Sequence, residues 1–96
     1  MTLKQSIRRR RKEILLLASR HGATDVRLFG SAARGDAGPD SDVDFLVKME
    51  DGRSLLDVSD LVADLQDLLG RKVDVVSEDG LYWLLRRRIL KEAQPL

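Results

Sequence analysis

The sequence predicts one α/β domain, a small mixed sheet of about three strands flanked by helices, in the order α-β-α-β-α-β-α. Apolar residues recur at helical spacing in long segments, and between them short segments alternate apolar and polar residues as strands do. The chain has 96 residues, of which 43% are hydrophobic and 4% aromatic, and this predicts a single domain with a thin core over residues 1–96. Helices that alternate with strands favour a sheet covered by helices.

The first predicted helix covers residues 3–20, where apolar residues recur every three or four positions. We expect it to end at Gly22, because glycine readily adopts the left-handed conformation that caps many helices. A short strand is predicted over residues 26–29, and it ends abruptly at Gly30.

The middle of the chain combines a loop with the second strand. Residues 31–41 are small, polar and rich in turn formers, so we expect a loop whose start forms a short helix capped by Ser31. The second strand covers residues 42–48, in which Val43 and Phe45 share one face and the aspartates lie on the other.

The second half of the sequence predicts a helix, a third strand and a last helix, and with the second strand these form a strand–helix–strand unit. Ser54 and Asp57 have the spacing of a capping box, and the helix that they begin ends at Gly70. The third strand covers residues 72–76 and the last helix residues 81–92. The second and third strands should therefore run parallel, with a right-handed crossover.

Charge and composition exclude several classes of protein. The 17 basic and 16 acidic residues give a net charge of +1, which argues against a dedicated nucleic-acid binder. Cysteine is absent, which excludes disulfides and thiolate metal sites. The longest apolar run, residues 14–18, is far shorter than the roughly 20 residues of a membrane span, so we expect a cytoplasmic protein without membrane contact. The basic run at residues 8–12 is interpreted as a solvated helix with some partner contact, because consecutive residues point around the helix.

Three aspartates interrupt strands that otherwise consist of apolar core residues. Asp42 and Asp44 project from one face of the second strand, and Asp74 lies in the third. If these strands are neighbours, the carboxylates converge, and like charges at about 4 Å repel by roughly 4 kcal/mol per pair at an effective dielectric of 20. A cation would relieve that repulsion, and an all-oxygen site suits Mg²⁺ or Mn²⁺. Taken alone, the aspartates could also be exposed carboxylates on an open sheet face.

Gly30 and Ser31 lie where the first strand ends and a helical turn begins. The exposed amides of such a turn can hold phosphate oxygens, with the glycine allowing close approach and the serine hydroxyl donating. Taken alone, this pair could also be a simple turn with an N-cap serine. Next to a magnesium site, the Gly30-Ser31 pair indicates phosphoryl or nucleotidyl transfer.

The combined pattern resembles a known superfamily. Gly30-Ser31, ten further residues and then Asp42-Val43-Asp44 match the GS-x10-D-x-D signature of polymerase-β-like nucleotidyltransferases. The stretches at residues 29–35 and 41–44 resemble the minimal nucleotidyltransferase branch, whose members are commonly paired with a HEPN-domain partner in toxin–antitoxin modules. The resemblance covers nearly the whole chain and implies the nucleotidyltransferase fold.

The resemblance also implies roles for individual residues. Gly30 and Ser31 would hold the triphosphate of ATP, and Asp42 and Asp44 would bind metal, with two Mg²⁺ ions expected and Mn²⁺ as an alternative. Asp74 would complete the metal-binding triad and help to activate the attacking hydroxyl. Arg34 falls where family members place a basic residue near the phosphates, although a solvated loop charge explains it equally well.

The activity that the resemblance implies is transfer of AMP from ATP to a hydroxyl, here a tyrosine of a HEPN ribonuclease toxin. The chain would then be the antitoxin, in a hetero-oligomer whose partner supplies part of the site. One alternative is an antitoxin that acts by binding alone. Another is a nucleotidyltransferase that modifies a small molecule such as an antibiotic, although such enzymes usually carry an extra substrate domain.

Overall fold

The structure is a computed structural model, which describes residues 2–38, 40–80 and 83–96. Within these ranges a 3₁₀ turn, Glu78–Gly80, follows the third strand, and residues 81 and 82 of the predicted last helix lie outside the described residues. The predicted α/β class is confirmed. The elements are α1 (Leu3–Arg9), α2 (Arg11–Arg20), β1 (Ala23–Phe29), α3 (Gly30–Arg34), β2 (Val43–Met49), α4 (Leu55–Leu69), β3 (Val73–Ser77), α5 (Trp83–Glu92) and β4 (Gln94–Pro95).

The strands form one mixed sheet in the order β3-β2-β1-β4. β2 and β3 are parallel, as predicted for strands joined by a helical crossover, and α4 connects them. β1 is antiparallel to β2 on one side and to β4 on the other. This order places the ends of β1, β2 and β3 that carry the predicted site next to one another.

The prediction of about three strands omitted β4. This strand has two residues, Gln94 and Pro95, which pair with Leu28 and Arg27 at the edge of the sheet. So short a segment has no periodicity to detect, and proline is tolerated here because an edge strand can lack one amide donor. The adjoining Leu96 is buried and bonds through its amide to the Val26 carbonyl at 3.2 Å.

The prediction of one continuous helix over residues 3–20 is wrong at Arg10. The chain leaves helical geometry there, with the Arg10 amide bonded to the Ile7 carbonyl at 3.0 Å, and α1 and α2 are separate helices. No glycine or proline marks the break. The Arg10 guanidinium instead donates to the Leu68 carbonyl at 3.1 Å, in the last turn of α4, so a tertiary contact accompanies the break. All five basic residues at 8–12 are exposed.

Helix α4 has the ends that the sequence predicts. The Ser54 hydroxyl accepts from the Leu56 amide at 3.2 Å, and the Asp57 carboxylate accepts from the Ser54 amide at 2.9 Å. This hydrogen bond, together with the Arg53 guanidinium, lowers the pKa of Asp57. Gly70 ends the helix in the left-handed conformation, with φ of +64°.

The core combines one face of the sheet with buried residues of α1, α2, α3 and α4. Leu61 and Leu65 are fully buried, whereas Leu55, at the start of α4, is 83% exposed although it continues the helical spacing. In the described part of the chain, no helix is long and apolar enough to cross a membrane. The largest buried side chains are Phe45, Ile7, Ile14, Leu28, Leu46, Leu61, Leu65, Val43 and Val47.

Candidate active site

Asp44 and Asp74 are neighbours across the parallel strands β2 and β3. The register pairs Val43 with Val73 and Asp44 with Asp74. Because side chains alternate along a strand, the buried valines face the core and the aspartates face away from it. Asp44 is half-buried and Asp74 is exposed. The structure therefore brings together two of the three predicted carboxylates.

Gly30 lies against the Asp44 carboxylate from the other side. Phe29, the last residue of β1, is opposite Asp44 in the antiparallel register, and Gly30 follows it with φ of +69°. A β-carbon on Gly30 would lie 2.5 Å from Oδ2 of Asp44, closer than two such atoms can approach. The positive φ favours glycine, and a side chain here would also force the Asp44 carboxylate to move.

Ser31 is in the short helix α3, directly after Gly30. The Ser31 carbonyl accepts from the amides of Gly35 and Asp36 at 3.0 and 3.2 Å, which closes the helix. Ser31 is half-buried, and its hydroxyl has no hydrogen-bond partner within residues 2–38, 40–80 and 83–96. The hydroxyl is therefore available to a ligand at this end of the sheet.

Asp42 precedes the first residue of β2 and is exposed. The amide of Val43 donates to the Lys72 carbonyl at 3.0 Å, which fixes the chain immediately after Asp42 beside the start of β3. The position of Asp42, two residues before Asp44, places it toward the same face of the sheet.

The electrostatics of the site centre on Asp44. Its pKa is raised first by burial and then by the negative charges of Asp74 and Asp42, while the Arg34 guanidinium acts in the opposite direction. The charges of Asp74, Asp42 and Arg34 all change the pKa of Asp44, so these three side chains lie near its carboxylate. A cation among the three carboxylates would offset both the burial and the repulsion.

The donor atoms suit a hard divalent cation, since all are carboxylate oxygens. Within the described ranges, however, no three acidic, histidine or cysteine side chains already stand in metal-binding geometry. Like charges do not hold one another in place, and Asp42 and Asp74 are both exposed and able to rotate. The three aspartates fit the predicted metal in chemistry and in position on the sheet, and their role as ligands remains a prediction.

Arg34, at the end of α3, is engaged by acidic side chains. Its guanidinium lies 3.2 Å from Oδ2 of Asp36 and 3.5 Å from Oε2 of Glu92. The contact between Arg34 and Glu92 links α3 to α5, and within α5 Glu92 also lies 3.6 Å from Arg88. No local pattern could have indicated Glu92, which lies far from Arg34 along the chain.

Arg71, in the turn between α4 and β3, was not among the predicted site residues. Its guanidinium donates to the carbonyls of Gly38 and Ser41 at 3.1 and 3.0 Å. These residues belong to the loop between α3 and β2, so Arg71 connects two loops next to Asp42. A lone arginine in a turn carries no signal of such a contact.

Sequence comparison identifies the family. The model of the nucleotidyltransferase domain family matches residues 7–96. This chain belongs to that family and is a nucleotidyltransferase.

Two curated relatives have names that are more specific. A candidate protein adenylyltransferase of Methanocaldococcus jannaschii is 39% identical over 83 residues, which cover 86% of this chain and 89% of the relative. The protein adenylyltransferase MntA of Thermococcus cleftensis is 41% identical over 76 residues, which cover 79% of this chain and 77% of the relative.

Solved structures confirm the fold. One, described as a candidate minimal nucleotidyltransferase, is 52% identical with a TM-score of 0.89, and the match covers 100% of this chain and 97% of that one. A second is a toxin–antitoxin structure with AMP-PNP, where the match has a TM-score of 0.77 and covers 88% of this chain and 69% of that one. At 22% sequence identity, the similarity to this structure concerns the fold alone.

Proposed function

We propose that this protein is an adenylyltransferase, which moves AMP from ATP to a hydroxyl group. The observation that carries the proposal is the close approach of the Gly30 backbone to the Asp44 carboxylate, with Asp74 beside it in register. A phosphate held at Gly30 would lie next to oxygen atoms suited to a divalent cation. Nucleotidyl transfer needs this combination, because the charge of the phosphates must be neutralised as phosphorus is attacked.

Gly30, Ser31 and Arg34 are the residues proposed to bind the triphosphate. Gly30 allows the backbone to come close to a phosphate oxygen, and the Ser31 hydroxyl, which has no partner among the described residues, donates to another. Arg34 would exchange its ion pairs with Asp36 and Glu92 for contact with phosphate. These three residues would place the donors for the triphosphate on the segment that runs from β1 into α3.

Asp42, Asp44 and Asp74 would hold two Mg²⁺ ions, or Mn²⁺ in their place. When bound, these ions neutralise phosphate charge and make the attacking hydroxyl more acidic. Asp74 orients the acceptor hydroxyl and accepts its proton. The acceptor oxygen then forms a bond to the α-phosphorus of ATP, the bond to the bridging oxygen of the β-phosphate breaks, and pyrophosphate leaves.

The acceptor in this proposal is a tyrosine of a HEPN-domain ribonuclease toxin in the cytoplasm, held in a hetero-oligomer with this chain. The sequence motif, the relative named as protein adenylyltransferase MntA and the similarly folded subunit of a toxin–antitoxin structure all support such a partner. The exposure of Asp74 also supports it, because a bulky protein side chain can reach that carboxylate. AMP on the tyrosine would silence the ribonuclease, which makes this chain its antitoxin.

Intact mass spectrometry of the partner tests the proposal. The product of the neighbouring gene, incubated with this protein and Mg-ATP, should gain the mass of one or more AMP groups and lose ribonuclease activity. The double variant Asp42→Asn/Asp44→Asn should produce neither change. If this variant silences the ribonuclease without a mass increase, the protein neutralises its partner by binding alone.

A further inference from the structure

The loop between α3 and β2 has few apolar side chains to anchor it, and polar contacts hold its described residues. The Gly38 amide donates to the Ser41 hydroxyl at 2.8 Å, and the Ser41 amide donates to the Gly38 carbonyl at 3.2 Å. These two bonds close a turn immediately before Asp42. They do not by themselves attach that turn to the rest of the protein.

Arg71 attaches the turn to the body of the protein. Its half-buried side chain donates through one guanidinium nitrogen to the carbonyls of Gly38 and Ser41, at 3.1 and 3.0 Å. Both ends of the turn therefore bond to a single side chain, which lies just before β3.

Asp42 lies between two such attachments. On one side, the carbonyl of Ser41 accepts from Arg71, and on the other, the amide of Val43 donates to the carbonyl of Lys72. Two consecutive residues before β3 thus fix the backbone on either side of Asp42. The side chain of Asp42 is exposed, so its orientation depends on how the backbone is held.

We propose that Arg71 is a positioning residue that fixes the backbone of Asp42 beside Asp44 and so sets the affinity of the site for divalent cations. This inference rests on the proposed role of Asp42 as a metal ligand. Residues that orient a metal ligand without touching the metal typically change metal affinity by roughly 10–100-fold when they are replaced. Arginine suits the fixing of two carbonyls because its planar guanidinium has several donors in fixed directions, whereas the lysine ammonium is a compact point charge.

Binding of Mn²⁺ without nucleotide, followed by the electron paramagnetic resonance signal of free Mn²⁺, tests the inference independently of catalysis. Arg71→Gln should weaken Mn²⁺ binding by about tenfold. In the Asp42→Asn background the same substitution should have no further effect, because the ligand that it positions is gone. The matched control is Arg10→Gln, which also removes an arginine–carbonyl bond, to Leu68, and should leave Mn²⁺ affinity unchanged.

Hydrogen exchange in metal-free protein provides a second readout. In Arg71→Gln, the amides of Gly38 and Ser41 should exchange faster than in the wild type, while those of α4 should not. Arg71→Lys keeps the charge and should resemble Arg71→Gln in both experiments, and it replaces Arg71→Gln if that variant does not fold.

The outcomes separate this inference from the proposed function. Wild-type Mn²⁺ affinity in Arg71→Gln or Arg71→Lys, or equal weakening with and without Asp42, would overturn the role of Arg71. If Asp42→Asn binds Mn²⁺ as tightly as the wild type, the metal site in the proposed function is wrong. Hydrogen exchange then still decides whether Arg71 fixes the loop.

Discussion

Oδ2 of Asp44 lies 2.5 Å from the position that a β-carbon on Gly30 would occupy. The end of the first strand and the start of the second therefore lie next to each other at this carboxylate. The glycine and the aspartate of the motif are thus neighbours in space. A phosphate that contacts the Gly30 backbone is within reach of any cation on Asp44.

The first prediction concerns Gly30→Ala. The added methyl group must displace the Asp44 carboxylate and hold a positive φ of +69°, which disfavours residues other than glycine by about 1–2 kcal/mol. We expect a lower melting temperature and loss of metal-dependent ATP binding, measured by calorimetry. Gly52→Ala is the control, since Gly52 has φ of +86° and no atom within 4 Å of an added β-carbon. It should lose similar stability and bind ATP normally, so equal binding by both variants would contradict the prediction.

The second prediction is that Asp44→Asn stabilises the metal-free protein. Burial and the charges of Asp74 and Asp42 raise the pKa of Asp44, so ionising it destabilises the folded state. The amide removes that charge with almost no change in volume. We expect a higher melting temperature in chelator at neutral pH, while Asp60→Asn, on the exposed side of α4, should change little. A melting temperature below that of the wild type would refute this account.

The same group gives a pH dependence. Because the folded pKa of Asp44 lies above its unfolded value near 3.8, the folded state binds more protons between those two values. Stability from this group is therefore greatest at low pH and decreases as the pH rises through that window. The difference in free energy of unfolding between Asp44→Asn and the wild type should accordingly shrink as the pH falls from 7 toward 4.

The third prediction is that Asp74→Asn abolishes transfer without unfolding the protein. Asp74 is exposed, so the substitution opens no cavity, and the free energy of unfolding should change by less than about 0.5 kcal/mol. A labelled-ATP assay with the partner present should show a loss of at least about 100-fold, the lower range for a general base. Transfer near the wild-type rate would show that Asp74 has no catalytic role. Asp36 or Asp40 would then be the next candidate for the third metal ligand.

The sequence predicts well what depends on local pattern. Alternation of valine and aspartate predicted that Val43 faces the core and Asp44 the opposite side, and the crossover helix predicted parallel strands. Ser54 and Gly70 cap helix α4 as predicted, because capping chemistry is local. These features place Asp44 beside Asp74 without any knowledge of distant contacts.

What the sequence does not predict depends on contacts between distant segments. The helix break at Arg10 accompanies a hydrogen bond from Arg10 to the Leu68 carbonyl. Strand β4 forms because two residues pair with the edge of β1. The contact of Arg34 with Glu92 and those of Arg71 with the loop before β2 are of the same kind. Arginines form such bonds through long side chains, so their targets are fixed by the fold and not by spacing.

The fourth prediction concerns the Ser31 hydroxyl. Its loss in Ser31→Ala should weaken ATP binding by about 1–2 kcal/mol, which is the range for a hydrogen bond to a charged acceptor. Ser31→Glu should weaken binding much more, because it places a negative charge against the triphosphate. Calorimetry measures both affinities, with Ser59→Ala on the exposed surface of α4 as the control. Equal affinity in the two Ser31 variants would remove Ser31 from the site.

The last prediction links the core to the site. Helix α4 joins β2, which carries Asp44, to β3, which carries Asp74. Leu61 and Leu65 are the residues of α4 that are fully buried, at 0% and 1% exposure. Leu61→Ala or Leu65→Ala should lower the free energy of unfolding by about 2–5 kcal/mol, since each leaves a cavity. In a small domain whose free energy of unfolding is about 5–10 kcal/mol, either substitution would leave little of that stability.

The control for this prediction is Leu56→Ala, a leucine of the same helix that is 75% exposed. It should change stability by less than about 0.5 kcal/mol. Urea unfolding followed by circular dichroism measures all three variants, and transfer activity measured at low temperature, where the variants stay folded, should remain close to that of the wild type. If Leu56→Ala is as destabilising as Leu61→Ala, α4 does not pack as described. If a folded Leu61→Ala variant loses transfer as completely as Asp74→Asn, packing of α4 controls the geometry of the carboxylates as well as the stability of the fold.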